Sequence, residues 1–316
     1  MKILVVGCGS IGRRHINNLV KRDDIESVFV YTKFQNCLEV LDNTRGKIRI
    51  VEDLGNIQAE FALICNETHK HVDTAILLAE RGIDLFIEKP LSHNLEKLNK
   101  LKEIVRRRKI KLTVGYNLRF LGAIKYIKEL LAEKIVGEPY FARLEVGQYL
   151  PQWRKGRDYR ESYSASRTRG GGVALDLSHE IDYMRYLFGD PVRWKVIKTK
   201  VSELEIDSDD IFEGLYLYDN NFICSVHLDY LQRDKKRKIH IIGSRGSLDC
   251  DLVKKEIRIT KEEGRESAIT DSEYFNIDRT YIEEINHFID SLKNDSSLEV
   301  TLDDGIRVLE LLEENV

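Results

Sequence analysis

The segment Gly7-Cys8-Gly9-Ser10-Ile11-Gly12 constrains this chain more than any other feature. It is a GxGxxG motif, entered from an apolar run at residues 3–6 and leading into a helical pattern. Gly7 allows a tight turn, Gly9 lets the backbone approach a pyrophosphate, and Gly12 lets helix and strand pack closely. The helix N-terminus then presents N–H groups and the positive end of its dipole to an anion. Alone the motif is weak evidence. The strand before it, the helix after it and the βαβ continuation give it weight. The expectation is dinucleotide binding through Gly7, Gly9, Ser10, Ile11, Gly12 and Arg13.

The pattern that follows sets the fold class. Residues 27–31, 61–65, 84–87 and 112–115 read as further buried strands, with helical patterns at 72–81 and 94–108. Alternating strands and helices predict a Rossmann-type, doubly wound parallel sheet over residues 1–119. The texture changes at residue 120. A helix at 122–133, a strand at 140–148 and a helix at 176–188 lead into clustered strands at 194–200, 211–218, 221–230, 238–242 and 247–252. Asp219-Asn220 and Gly243-Ser244-Arg245-Gly246 between them read as hairpin turns. Two helices, at 280–294 and 303–313, close the chain. Residues 120–316 are therefore expected to form an α+β domain with a large, mostly antiparallel open sheet.

Composition removes several function classes. A net charge of -3 gives no general signal for nucleic acid. No apolar run reaches the roughly 18 residues of a membrane span, and residues 1–6 are too short for a signal-peptide core. The five cysteines are scattered with no CxxC pair, so no zinc site or disulfide scaffold is expected. Cys8 reads as a small packing residue. These features suit a cytoplasmic protein without a metal, a membrane or a nucleic-acid partner.

The end of the second strand bears on cofactor choice. An acidic residue about 20 positions after the motif usually grips the ribose 2′-hydroxyl of NAD. Here the chain reads Tyr31-Thr32-Lys33. A hydroxyl and a cation suit a 2′-phosphate better, so NADP is favoured over NAD, with Thr32 and Lys33 as ligands.

Three further motifs carry a family resemblance: Glu88-Lys89-Pro90, the run Gly115-Tyr116-Asn117-Leu118-Arg119-Phe120, and residues 170–182, which contain Asp176, His179 and Asp182. With the phosphate loop they resemble the glucose–fructose oxidoreductase / inositol dehydrogenase / rhizopine-catabolism (Gfo/Idh/MocA) family, in its order and over nearly the whole chain. The resemblance implies that Lys89 is the catalytic lysine, that Glu88 lies near the nicotinamide ribose, and that the Lys89–Pro90 bond can be cis. It implies that Asp176 and His179 face the nicotinamide. Many members space that pair as Asp-x-x-x-His, whereas this chain has Asp-x-x-His, which leaves open which of Asp176, His179 and Asp182 point inward. Where the family often has Thr-Pro, this chain has Asn66-Glu67, and Asn66 is expected to contact the cofactor. His71 matches a family histidine read as structural. Tyr116, Asn117 and Arg119 are expected to meet substrate. A homodimer or homotetramer through the second-domain sheet is also implied.

The chemistry expected is hydride transfer between nicotinamide and a secondary alcohol or ketone. Lys89 and His179 would flank the reacting oxygen, and a lysine beside a cationic ring should lose its proton more readily. The loop at 150–169 suggests the substrate class. Arg154, Lys155, Arg157, Arg160, Arg167 and Arg169 are opposed only by Asp158 and Glu161, with Trp153, Tyr159 and Tyr163 interleaved. Arginine forks bind carboxylate or phosphate, and flat aromatic rings cover sugar or base faces. Trp153, Arg154 and Arg157 are therefore expected to bind a sugar-like molecule with an anionic group, such as a sugar acid or nucleotide sugar. Two other readings share these features: a nicotinamide-nucleotide-binding regulatory protein and an NAD-dependent glycosidase.

Overall fold

A computed structural model describes residues 1–33, 41, 46–154 and 156–314. The chain forms two compact units, Met1–Gly115 with Glu284–Ile306, and Tyr116–Glu283 with Arg307–Val316.

The first unit is built on six parallel strands: β1 (Lys2–Val6), β2 (Ser27–Tyr31), β3 (Ile48–Val51), β4 (Phe61–Ile64), β5 (Asp84–Glu88) and β6 (Leu112–Gly115). Their order is β3-β2-β1-β4-β5-β6. The strand order reverses beside β1, so a crevice opens at the C-terminal ends of β1 and β4, where such sheets bind ligands. β4 is buried along its whole length, as a strand covered on both faces must be. The helices include α1 (Ser10–Leu19), α2 (His71–Ala79) and α3 (Leu98–Arg108). The core joins Ile3, Val5, Ile16, Leu19 and Phe61 to Ile285, Phe288 and Ile289. The last three belong to α7 (Ile277–Asn294) and recur at i, i+3 and i+4, one helical face.

Three features depart from the sequence reading. β3 was not anticipated. It is an edge strand whose Arg49 and Ile50 are exposed, so neither alternation nor a continuous apolar run marks it. Helix α3 starts at Leu98 rather than 94, because Asn94 Oδ1 accepts the Glu96 N–H at 3.0 Å and Lys97 turns left-handed at φ 62°. Residues 284–306 return to the first unit, a return absent from a single division at 119/120. Cys65, Cys224 and Cys250 are free and buried. Cys8 packs in the core as expected, but it is disulfide-bonded rather than a free thiol.

The second unit holds an eight-stranded sheet: β7 (Pro139–Gly147), β8 (Arg193–Thr199), β9 (Ile211–Leu217), β10 (Ile223–Asp229), β11 (Lys236–Gly243), β12 (Gly246–Asp251), β13 (Glu256–Lys261) and β14 (Glu266–Ile269). The order is β14-β13-β12-β11-β7-β10-β9-β8, antiparallel except between β7 and β10. Strands β13 and β14 extend the sheet past the last expected strand. One face is apolar and buried, with Ala142, Leu144, Val146, Val226, Leu228 and Ile241. Helices α4 (Gly122–Ala132) and α6 (His179–Phe188) pack on each other, and α6 packs on β7 and β10. The opposite face keeps Ile197, Leu215 and Ile223 exposed. Between β7 and β8 lie a loop of short turns and α5 (Val173–Asp176), and α8 (Leu302–Leu311) ends the chain. Among the described residues no helix is long and apolar enough to cross a membrane.

Candidate active site

In the first unit the phosphate loop has the expected build. Gly7 sits at φ +102°, and a Cβ there would lie 2.5 Å from the Cys65 carbonyl oxygen. A Cβ on Gly12 would lie 2.2 Å from the Gly7 oxygen. Both positions therefore demand glycine for close packing of loop, helix and β4. At Gly9 a Cβ would meet nothing within 4 Å, so this backbone faces open space. Helix α1 begins there without a side-chain cap, at Ser10 and Ile11, and the Arg13 N–H bonds back to the Gly9 oxygen at 3.0 Å. An open glycine backbone at an uncapped helix N-terminus fits a pyrophosphate. Thr32 and the exposed Lys33 follow the end of β2.

The neighbouring strand ends complete this half. Asn66 follows β4. Its Nδ2 donates to Thr74 Oγ1 at 3.0 Å, while its buried Oδ1 has no hydrogen-bond partner among the described residues. A buried orphan acceptor at this crevice also suits a polar ligand. His71 ties the two strand ends together, with Nε2 3.0 Å from the Asn66 carbonyl oxygen and Nδ1 2.9 Å from that of Pro90. Burial pushes its pKa below the ordinary histidine value. That is the structural role expected of it.

Glu88 ends β5, and Lys89 is half-buried beside it with a cis bond to Pro90. The Glu88 carboxylate turns into the protein. Its Oε1 lies 2.5 Å from His15 Nε2, and its Oε2 accepts the Lys89 N–H at 3.2 Å. His15 is fully buried on α1 and did not figure among the expected site residues. The signal was available, because His15 shares the buried face of α1 with Gly12, Ile16 and Leu19. Gly115 pairs with Glu88 across β5 and β6 and leaves room for the carboxyl, which a Cβ would approach to 3.3 Å.

In the second unit one expected helix is corrected. Residues 176–188 do not form one helix. α5 stops at Asp176, Leu177 leaves helical geometry at φ -106° and ψ 26°, and α6 restarts at His179. The i,i+3 argument for Asp176 and His179 therefore does not apply. Asp176 is buried and accepts from Tyr230 Oη at 2.6 Å, with Tyr163 alongside. Asp182 is fully buried against Arg119, at 2.7 Å from Nη2 and about 3 Å from Nε. Arg119 and Asn117, expected to meet substrate, are thus held in the interior: Asn117 Nδ2 donates to Thr280 Oγ1 at 2.6 Å. Tyr116 is also buried, its ring 5.7 Å from that of His179, and burial with the nearby Asp182 raises its pKa. Of the three acid/base candidates here, His179 is the half-exposed one.

The loop at 150–164 encloses a cavity of about 390 Å³ lined by Trp153, Arg154, Arg157, Tyr159, Glu161 and Ser162, among others. Its cations divide into two groups. Arg160 is bound by Asp158 and Glu205, and Arg169 donates to the carbonyl oxygens of Glu161 and Ser162. Arg154 and Arg157 have no ion-pair partner among the described residues; Arg154 lies 5.8 Å from the Tyr163 ring centroid. Trp153 packs edge-on against Tyr230 at 5.1 Å. One chain of contacts thus runs from the cavity wall through Tyr230 to Asp176. Lys155 lies outside the described residues.

A nucleotide-binding sheet with a lysine at a strand end, followed by an α+β unit with a histidine at a helix start, defines the class of Rossmann oxidoreductases. Residues 1–116 match the oxidoreductase family with an NAD-binding Rossmann fold, and residues 124–249 match the GFO/IDH/MocA C-terminal domain. The chain belongs to the GFO/IDH/MocA oxidoreductase family. It is 26% identical to myo-inositol 2-dehydrogenase of Thermotoga maritima, covering 96% of this chain and 92% of that protein. It is 24% identical to glucose-6-phosphate 3-dehydrogenase of Bacillus subtilis, covering 64% and 57%. UDP-N-acetylglucosamine 3-dehydrogenase from Acidithiobacillus ferrooxidans shares its fold, with a TM-score of 0.79 at 19% identity over 98% of this chain and 94% of that one.

Proposed function

We propose that this protein oxidises a secondary alcohol, or reduces the corresponding ketone, on a sugar derivative that carries an anionic group. The observation that supports the anionic group most directly is the pair Arg154 and Arg157, which line the 150–164 cavity without carboxylate partners among the described residues. An unpaired guanidinium beside aromatic walls suits phosphate or carboxylate on a sugar. Trp153 would cover the sugar or base face. The relatives that act on glucose 6-phosphate and on a UDP-sugar have substrates of this kind.

Gly7, Gly9, Ser10, Ile11, Gly12 and Arg13 would hold the pyrophosphate, with Asn66 and the Glu88–Lys89 strand end toward the nicotinamide. When bound, the nicotinamide supplies the hydride acceptor or donor at C4. Lys89 Nζ would take the hydroxyl proton in oxidation and return it in reduction, with His179 as its partner. Asp176, clamped by Tyr230, would position the segment before His179 rather than exchange protons itself. Lys33 and Thr32, with no acid in the 2′-hydroxyl position, favour NADP. Exposed Ile197, Leu215 and Ile223 on the open sheet face would be covered by a second copy.

The test is an absorbance assay at the reduced-nicotinamide band. It would use neutral sugars, sugar phosphates, sugar acids and nucleotide sugars with NAD and NADP separately. Lys89-dependent turnover of one anionic sugar supports the reading. Turnover confined to neutral polyols overturns the anionic assignment. Tight cofactor binding without net cofactor reduction or oxidation points to the regulatory or glycosidase reading.

A further inference from the structure

Three ionisable side chains meet inside the first unit: His15 from α1, Glu88 from the end of β5 and Glu284 from α7. One ligand atom from each lies within 4.8 Å of the others, and all three residues are buried. His15 and Glu88 are paired at 2.5 Å. Glu284 is 3% exposed, and neither of its oxygens has a hydrogen-bond partner among the described residues. A buried polar group in that state calls for a physical explanation.

Charge accounting narrows the explanation. An ionised carboxylate out of water, without hydrogen bonds and beside a second carboxylate, is costly. The one nitrogen base in the cluster, His15, already hydrogen-bonds Glu88. The other titratable groups that face these carboxyls are the Cys65 thiol and His71, and neither adds a positive charge. Cys65 is buried and held in its neutral form by burial and by both carboxyls, and burial disfavours the charged form of His71. Glu284 therefore needs a proton or a metal ion. Two ligands of one tetrahedral zinc, each about 2.0–2.1 Å from it, stand about 3.3 Å apart. The 2.5 Å contact of His15 and Glu88 is that of a hydrogen bond instead. Burial and the charge of Glu88 both push the Glu284 carboxyl well above its ordinary pKa.

Glu88 ends β5 and Cys65, which faces both carboxyls, follows β4, whose C-terminal end borders the crevice beside β1. Nicotinamide is cationic when oxidised and neutral when reduced. We propose that Glu284 is a redox-linked proton site, carrying its proton beside reduced nicotinamide and releasing it to solvent when the oxidised, cationic cofactor is bound. The inference rests on the nicotinamide-dependent reading above. Its balance is simple: oxidised cofactor binds, one O–H bond of Glu284 breaks, and one proton enters solution with no electron transferred. During reduction of the ring the cluster regains that proton. Glu88 Oε2 also holds the Lys89 N–H, so the cluster charge bears on the strand end that carries Lys89.

The test measures Kd for oxidised and reduced cofactor across pH for the wild type and for Glu284→Gln, which keeps the size and cannot ionise. By linkage, one proton changes the ratio of the two Kd values by up to about tenfold per pH unit. In the wild type, preference for oxidised over reduced cofactor should rise with pH more steeply than in Glu284→Gln, by up to that factor. Lys89 is present in both proteins, so the quantity read is the difference between the two slopes. Identical slopes overturn the proposal, as does stoichiometric divalent metal in the wild type that Glu284→Gln loses. If Glu284→Gln does not fold, proton release on adding oxidised cofactor to wild type in weak buffer decides, and zero release overturns it. Failure of both cofactors to bind would overturn the nicotinamide reading itself.

Discussion

Replacing Arg119 with Met separates a structural arginine from a substrate-binding one. Arg119 and Asp182 are both buried, with side-chain exposures of 7% and 0%, and are joined by contacts of 2.7, 3.0 and 3.1 Å. Met keeps most of the apolar stem and removes the charge. Asp182 then loses this buried ion pair with Arg119, a change that costs about 3–5 kcal/mol. For a unit of roughly 150–250 residues, each kcal/mol lowers Tm by about 2–4 °C. A drop of about 6–20 °C is expected, read by calorimetry or circular dichroism. Adding Asp182→Asn to Arg119→Met should recover part of it, because a neutral amide is cheaper to bury than a carboxylate that has lost Arg119. An unchanged Tm together with a raised KM would refute the reasoning and restore Arg119 to the substrate site.

Four further outcomes are expected. Lys89→Ala should lose turnover by about 10²-fold or more while keeping cofactor affinity, measured by titration of protein fluorescence; near-normal turnover would remove Lys89 from the chemistry. Arg154→Ala with Arg157→Ala should raise KM for an anionic substrate about tenfold or more, and added salt should shrink the difference; equal KM at all salt concentrations would clear the loop of that role. Lys33→Asp should shift cofactor preference from NADP toward NAD, read as the ratio of the two Kd values, and no shift would show that Lys33 leaves the 2′-phosphate untouched. His227 is held in its charged form first by Asp229, 2.9 Å away, and then by Glu213 at 2.6 Å, which raises its pKa. Its contribution is full below the unfolded value near 6.5 and is lost as pH rises through the raised folded value. His227→Gln should therefore be less stable than wild type at pH 6, with the gap closing above neutrality; a gap that widens with pH would invert the assignment.

The parts of this protein written in local patterns could be read in one dimension. The turn at Gly7, the open backbone at Gly9 and the close packing at Gly12 are dictated within six residues, so the motif gives the nucleotide site without the fold. The buried strands were legible because β4 and its neighbours are continuous apolar runs. The edge strand β3 was not, because its exposed Arg49 and Ile50 break the period. Lys89 could be picked out as a candidate from its motif, and His179 from its place in the glycine-rich run.

What the tertiary structure decided lies in pairs far apart in the chain. Arg119 and Asp182 are separated by 63 residues, and only folding buries one against the other. Asp176 accepts its hydrogen bond from Tyr230, 54 residues on, while the break at Leu177 ends a helix that the sequence pattern carries through. Glu284 looks like an ordinary surface glutamate on an amphipathic helix. Burial beside Glu88 makes it a charge problem, since the cost of a carboxylate depends on the dielectric and the charges around it, and neither is a property of neighbouring residues in sequence.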